Sequence, residues 1–166
     1  IPEDISHHQR RYNVRVPVSK SEIGNFRVWY GNSTPVQGDA AKLNWLPFEV
    51  EQTDLIDISA GGLQLSIARD SELTPYLSAR EIMLTNGVFE IKGKENVPLM
   101  LAGQIIRVSD EKREANLQLG ISFRQWAKIN PEGLTWISTS PEAGVIPLAS
   151  WVCQVIMERY ENDKTV

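Results

Sequence analysis

The chain consists of short runs of aromatic and β-branched residues separated by turn residues, and this pattern constrains the fold most strongly. Residues 26–30 form such a run, bounded by Gly24-Asn25 and Gly31-Asn32. Residues 63–67 alternate apolar and polar side chains with the period of a half-buried strand, so the leucines and the isoleucine are expected to face the core. Further strands are predicted at 48–56, 98–108 and 115–123. The pattern predicts a mainly β fold.

Two segments between these strands carry turn signals. Asn86-Gly87 is a frequent dipeptide of type I′ turns, so it is predicted to join strands at 82–85 and 88–91 as a hairpin. The tract 31–47 contains two prolines and two glycines. It is therefore predicted to be an insertion, in the form of a long loop or an irregular hairpin.

Only the C-terminal region has a helical pattern. After Pro147, which suits a first helical turn, apolar residues recur at three- and four-residue spacing. They predict an amphipathic α-helix over about 147–161. Many short strands followed by one such helix indicate a closed or nearly closed β-barrel with the helix packed against it. The apolar residues of the pattern are Leu148, Trp151, Val152, Val155, Ile156 and Tyr160.

Composition limits the possible partners. The 166 residues are 42% hydrophobic and 23% charged, which is typical of one globular domain. The net charge of −4 argues against the broad basic surface that DNA, RNA or an anionic membrane favours, so an anionic ligand must be met by a local cluster. The longest apolar run, 145–157, is too short for a transmembrane segment.

The first residue is Ile1, and residues 1–13 are polar without periodicity. They are predicted to form a flexible N-terminal arm before a domain at 14–166. We expect the chain to be a piece of a longer protein whose upstream part contributes to function. The single Cys153 cannot form an internal disulfide, which fits a cytoplasmic location.

No segment of the sequence predicts a catalytic centre, a metal site or a cofactor. The only histidines, His7 and His8, are adjacent, so an extended chain would point them to opposite sides. There is no Gly-x-Ser-x-Gly nucleophile motif. Cys153 lies on the helix and is expected to be a small buried hydrophobic residue. We therefore expect a binding protein and not an enzyme.

Three arginines, Arg10, Arg11 and Arg15, lie at the junction between the arm and the first strand. A guanidinium group can donate two hydrogen bonds to a phosphate or a guanine edge, and it can stack on a purine. The alternative is a solvated basic patch that binds no ligand. An isolated pair of arginines four residues apart favours this alternative.

The segment Asp57-Ile58-Ser59-Ala60-Gly61-Gly62 lies between two apolar strands. Asp and Ser side chains can shape a turn, and either glycine can adopt positive φ or allow another group to approach closely. A carboxylate can also accept hydrogen bonds from guanine N1–H and N2–H, with the serine hydroxyl beside it. The segment is either a structural turn or part of a guanine site.

Together these features resemble the PilZ domain, a bacterial family of cyclic di-GMP receptors with an Arg-x-x-x-Arg motif and a later Asp/Asn-x-Ser-x-x-Gly motif. Here Arg11-Tyr12-Asn13-Val14-Arg15 and the 57–62 segment match. The preceding Gln9-Arg10 and the later Leu119-Gly120-Ile121-Ser122-Phe123 are also similar to the family, and the ordered set covers nearly the whole chain. Arg15 and Asp57 are 42 residues apart, which is more than compact members need, and the excess fits the insertion at 31–47.

The resemblance implies a six-stranded β-barrel with the C-terminal helix, and an arginine arm that closes over cyclic di-GMP. It implies that Arg11 and Arg15 bind phosphates and guanine edges, with Arg10 as a third contact. Asp57 and Ser59 would hold a guanine, and Gly62 would allow close approach. Ligand binding would then regulate a partner protein or an attached upstream domain that controls motility, exopolysaccharide or biofilm formation.

Two other functions remain open. One is a protein-interaction adaptor that keeps the PilZ fold without binding the nucleotide. The other is a single-stranded nucleic-acid binder that uses surface aromatics such as Trp29 and Trp45, although the acidic net charge disfavours it.

Overall fold

The structure is a computed structural model, and it describes residues 13–32, 44–49, 53–69, 74, 77, 82–89, 96–110 and 115–165. Within them the chain is mainly β, as predicted, with one C-terminal α-helix, α1 (Ile146–Lys164), and a short 3-10 turn (Lys20–Glu22). The strands are β1 (Val16–Pro17), β2 (Gly24–Asn32), β3 (Asn44–Glu49), β4 (Thr53–Ser59), β5 (Gly62–Ala68), β6 (Ile82–Phe89), β7 (Val97–Ser109), β8 (Asn116–Asn130), β9 (Gly133–Leu134) and β10 (Ile137–Ser138).

The ten strands form one antiparallel sheet in the order β1-β4-β5-β8-β7-β6-β2-β3, with β9 and β10 pairing on β8. Among the described residues no ladder joins β1 to β3, so the sheet is open. Most neighbours in the sheet are also neighbours in sequence, because hairpin connections join antiparallel strands directly. The long strand β8 is central, since it pairs with β5 on one side and β7 on the other.

One continuous hydrophobic core contains side chains of the sheet and of helix α1. The predicted alternation of β5 is confirmed, because Leu63, Leu65 and Ile67 are fully buried. Val16 of β1 and Val28 of β2 belong to the same core although their strands lie near opposite ends of the sheet order. The sheet is therefore curved enough for both ends to contribute to one core.

Helix α1 begins and ends within a few residues of the predicted positions, and Pro147 occupies its first turn as expected. Trp151 packs edge-on against Phe89 of β6, with ring centroids 5.3 Å apart. The predicted apolar face is buried only in its first half, however, because Ile156 and Tyr160 are exposed. The expectation that Cys153 is buried is wrong, since this residue lies on the exposed side of the helix.

The predicted Asn86-Gly87 hairpin is wrong. Both residues lie inside the continuous strand β6, where Asn86 pairs with Met100 and Gly87 with Leu99. Strands β2 and β7 flank β6 on both sides, and their ladders hold this segment extended against its local turn preference. A side chain at position 87 would also crowd Phe89, whose ring lies 3.0 Å from the Cβ position.

The predicted strand at 48–56 is also wrong in its bounds, because this region belongs to two strands, β3 and β4. β3 pairs antiparallel with β2, with Gly31 opposite Trp45. Because β2 and β3 are paired, the irregular hairpin is the alternative that fits the two ends of the tract 31–47. Residues 33–43 of this tract lie outside the described residues.

Candidate functional site

The β4–β5 hairpin contains the whole Asp-x-Ser-x-x-Gly segment. Its last ladder pair is Ser59 with Gly62, so Ala60 and Gly61 form the two-residue turn. Earlier in β4 the register shifts between Leu55 and Asp57, which inserts one extra residue, a β-bulge. Leu55 and Ile58 are consequently both buried although they are three residues apart. The bulge turns Asp57 away from the core.

Arg15 reaches Asp57 from the position directly before the neighbouring strand β1. In the β1–β4 ladder Pro17 is opposite Asp57, so Arg15 is a diagonal neighbour of Asp57 on the same face of the sheet. Arg15 Nη1 donates a hydrogen bond to Asp57 Oδ1 at 2.6 Å. The second carboxylate oxygen and the other guanidinium donors have no partner among the described residues, so both groups retain capacity to bind a ligand.

The hydroxyl of Ser59 stabilises the turn from inside. Ser59 Oγ accepts a hydrogen bond from Gly61 N–H at 3.2 Å and donates one to the Gly62 carbonyl at 3.3 Å. These are the local contacts by which serine shapes a turn. Because the hydroxyl proton is already donated, the group that Ser59 offers to a ligand is an acceptor lone pair.

Gly62 is required by its neighbouring strand. A Cβ atom here would lie 2.2 Å from the carbonyl oxygen of Ile121 in β8. Neither Gly61 nor Gly62 has positive φ, since among the described glycines only Gly133 and Gly144 do. The turn therefore does not use the capacity of these glycines for positive φ, and the close approach at Gly62 is that of strand β8.

A cavity of about 340 Å³ lies beside this turn. Its wall combines the segment before β1, the β4–β5 turn, one residue of β7, the middle of β8 and the loop between β10 and helix α1. Asp57 does not line the cavity but is paired with Arg15, which does. The lining residues are Asn13, Arg15, Ser59, Gly61, Gly62, Ile106, Ile121, Ser122, Phe123, Arg124, Thr139, Ser140, Pro141 and Gly144.

The cavity forms where β8 changes partner. β8 pairs with β5 up to Ser122 and with β10 from Gln125. At this junction Phe123 N–H donates to the Gly61 carbonyl, and Thr139 N–H donates to the Arg124 carbonyl, each at 2.9 Å. The two hydrogen bonds fix the cavity wall to the turn on one side and to the β10 segment on the other.

The structure thus brings together four of the predicted site residues, Arg15, Asp57, Ser59 and Gly62, at one end of the sheet. Arg10 and Arg11 lie outside the described residues. Sequence reasoning missed the cavity residues Arg124 and Thr139. Arg124 directly follows the Gly-x-x-Phe segment of β8, and Thr139 directly follows the short strand β10. Nothing in the sequence pattern distinguishes either from other polar residues near the surface.

The described residues contain no group of three His, Cys, Asp or Glu side chains placed to hold a metal ion. Across the same part of the chain, no helix combines the length and the apolar character needed to cross a membrane.

In comparisons with known proteins, the chain matches no family model, no curated protein and no solved structure.

Proposed function

We propose that this chain is a cyclic di-GMP receptor module with a PilZ-type fold, in which Arg15, Asp57, Ser59 and Gly62 define the binding site. The observation that carries the proposal is the Arg15–Asp57 ion pair, because it joins the two motifs across 42 residues of sequence beside a cavity. A dianionic ligand with two guanines suits this pairing of donors and acceptors. Arg15 donates to a phosphate or a guanine edge, while the second carboxylate oxygen of Asp57 accepts from guanine N–H groups.

Arg11 and Arg10 complete the site in this proposal. They precede Arg15 by four and five residues, so they belong to the segment that leads to the cavity beside Asn13. On ligand binding this arm closes over the nucleotide, which orders it and changes its position relative to whatever it is attached to. The protein is a regulator in this scheme and performs no chemistry on the ligand.

The family fold belongs to the same proposal. The family's six-stranded barrel requires the ends of the sheet to approach each other. The core shared by Val16 of β1 and Phe89 of β6 supports this closure, because these two strands are the ends of the six-strand order β1-β4-β5-β8-β7-β6. In this view β9, β10 and the β2–β3 hairpin are additions to the barrel.

The turn is also coupled to helix α1. Val145 N–H donates to the Ala60 carbonyl at 2.8 Å, directly before the first residue of the helix. A ligand that displaces Ala60 therefore displaces the start of helix α1. This contact gives the site a route to a partner protein that binds the helix, in addition to the route through the arm.

The test is calorimetric titration of the chain with cyclic di-GMP. We expect saturable binding, and an affinity loss of about 1–3 kcal/mol in Arg15→Ala and in Arg11→Ala. Arg107→Ala is the matched control, because Arg107 is exposed on β7 and does not line the cavity. Unchanged affinity in both test variants would refute the site. If cyclic di-GMP produces neither heat nor a thermal shift with the wild-type chain, the receptor function is refuted. The protein-interaction adaptor then remains as the alternative.

A further inference from the structure

Arg124 occupies a rigid position on the cavity wall. Its carbonyl accepts the hydrogen bond from Thr139, and the N–H of the preceding Phe123 is bound to the Gly61 carbonyl. The backbone on both sides of the cavity-lining side chain is thus fixed by strands and by the motif turn. A side chain that starts from a fixed backbone loses less freedom when it binds a ligand.

The charge of Arg124 has no acidic partner among the described residues. Only two charged side chains line the cavity within the described residues, Arg15 and Arg124. Arg15 is paired with Asp57, whereas the one described partner of Arg124 is the neutral side-chain oxygen of Gln104, which accepts from Nε at 3.2 Å. Arg124 therefore supplies the net positive charge of the described wall. Its outer Nη donors have no partner among the described residues.

We propose that Arg124 binds a phosphate group of the ligand, as a contact outside both sequence motifs. The proposal rests on the receptor function given above. A guanidinium group held at Nε presents its two Nη groups side by side, and this edge matches two oxygens of a phosphodiester. A phosphate also neutralises the charge that Gln104 leaves uncompensated, which a neutral guanine would not do. Arg15 then contacts the ligand from the segment before β1, and Arg124 contacts it from strand β8.

The experiment titrates four forms of the full chain with cyclic di-GMP at several NaCl concentrations: wild type, Arg124→Gln, Arg124→Lys and Lys128→Gln. Lys128 is the matched control, since it is exposed on the same strand and does not line the cavity. We expect Arg124→Gln to raise Kd about tenfold or more, and Lys128→Gln to change it less than about twofold. The affinity of Arg124→Gln should also depend less on NaCl, because one charge contact is lost.

Arg124→Lys keeps the charge and loses the paired donors, so its Kd should lie between those of wild type and Arg124→Gln. If Arg124→Gln does not fold, Arg124→Lys tests the phosphate contact in its place. An affinity of Arg124→Lys equal to that of wild type would then overturn the proposal. Equal affinities of Arg124→Gln and Lys128→Gln would overturn it while the receptor function stands. If Arg124→Gln loses affinity but its NaCl dependence equals that of wild type, Arg124 contacts a neutral part of the ligand. That result would also overturn the proposed phosphate contact. Failure of the wild-type chain to bind would refute the receptor function itself and this contact with it.

Discussion

Arg15 Nη1 lies 2.6 Å from Asp57 Oδ1, and this contact joins the segment before β1 to the bulged strand β4. The two side chains remain 29% and 18% exposed, so water still screens the pair. Ion pairs in such positions contribute only about 0–1 kcal/mol to folding. The more important consequence of the contact is orientation, because it holds a guanidinium group at the edge of the cavity.

Asp57→Ala should therefore affect ligand binding far more than stability. We expect the free energy of unfolding in urea to fall by no more than about 1 kcal/mol. The affinity for cyclic di-GMP should fall by about 1–3 kcal/mol, because the guanine acceptor is lost and Arg15 is no longer oriented. Asp110→Ala is the control, since Asp110 also pairs with an arginine, Arg69, away from the cavity lining. An equal loss of affinity in both variants would contradict the role of Asp57.

Gly62→Ala should destabilise the fold even without ligand. The added methyl group would lie 2.2 Å from the Ile121 carbonyl oxygen, so β5 and β8 must separate. We expect the free energy of unfolding to fall by about 1–3 kcal/mol or more. At Gly24 a Cβ would have only an ordinary contact, 3.6 Å from Val88, and Gly24→Ala should change stability by less than about 1 kcal/mol. Chemical denaturation of both variants checks the difference, which a ligand-only role of Gly62 would not produce.

The sequence predicted strand β5 and helix α1 because their own periodicity agrees with their surroundings. The site was less predictable. A strict alternation from Leu55 would have pointed Asp57 into the core, and only the register shift in β4 turns it toward Arg15. A bulge depends on how two strands pair, so no local pattern announces it.

Pairing between distant strands also explains why the Asn86-Gly87 hairpin was predicted wrongly and why Arg124 was missed. The preference of Asn86-Gly87 for a turn is local, whereas the ladders on both sides of β6 are contacts with residues distant in sequence. Arg124 belongs to the candidate site only because β8 exchanges β5 for β10 at that point. Neither the pairing of β6 nor this exchange can be derived from the residues beside Asn86 or Arg124.

Ser59→Ala should weaken the turn and the site together. The side chain is 4% exposed, and its hydroxyl has hydrogen bonds to both Gly61 and Gly62. Its removal leaves a buried turn with fewer hydrogen bonds, so we expect a stability loss of about 1–2 kcal/mol in urea unfolding. Ser66→Ala is the control, because Ser66 is half-buried in β5 and its side chain has no hydrogen-bond partner among the described residues. Equal effects at the two serines would show that the turn does not depend on the hydroxyl.

Trp151→Ala should detach helix α1 from the sheet. Trp151 is 4% exposed and packs edge-on against Phe89. It lies in the first half of the helix, which contains all the buried residues of the helix. Deleting a buried tryptophan costs about 3–5 kcal/mol, whereas Trp151→Phe keeps part of the packing and should cost less. Met157→Ala, at a residue 63% exposed on the same helix, should change stability by less than about 0.5 kcal/mol. Thermal and urea unfolding of the three variants test this order, and a loss at Met157 as large as that at Trp151 would mean that the outer face of the helix is also covered.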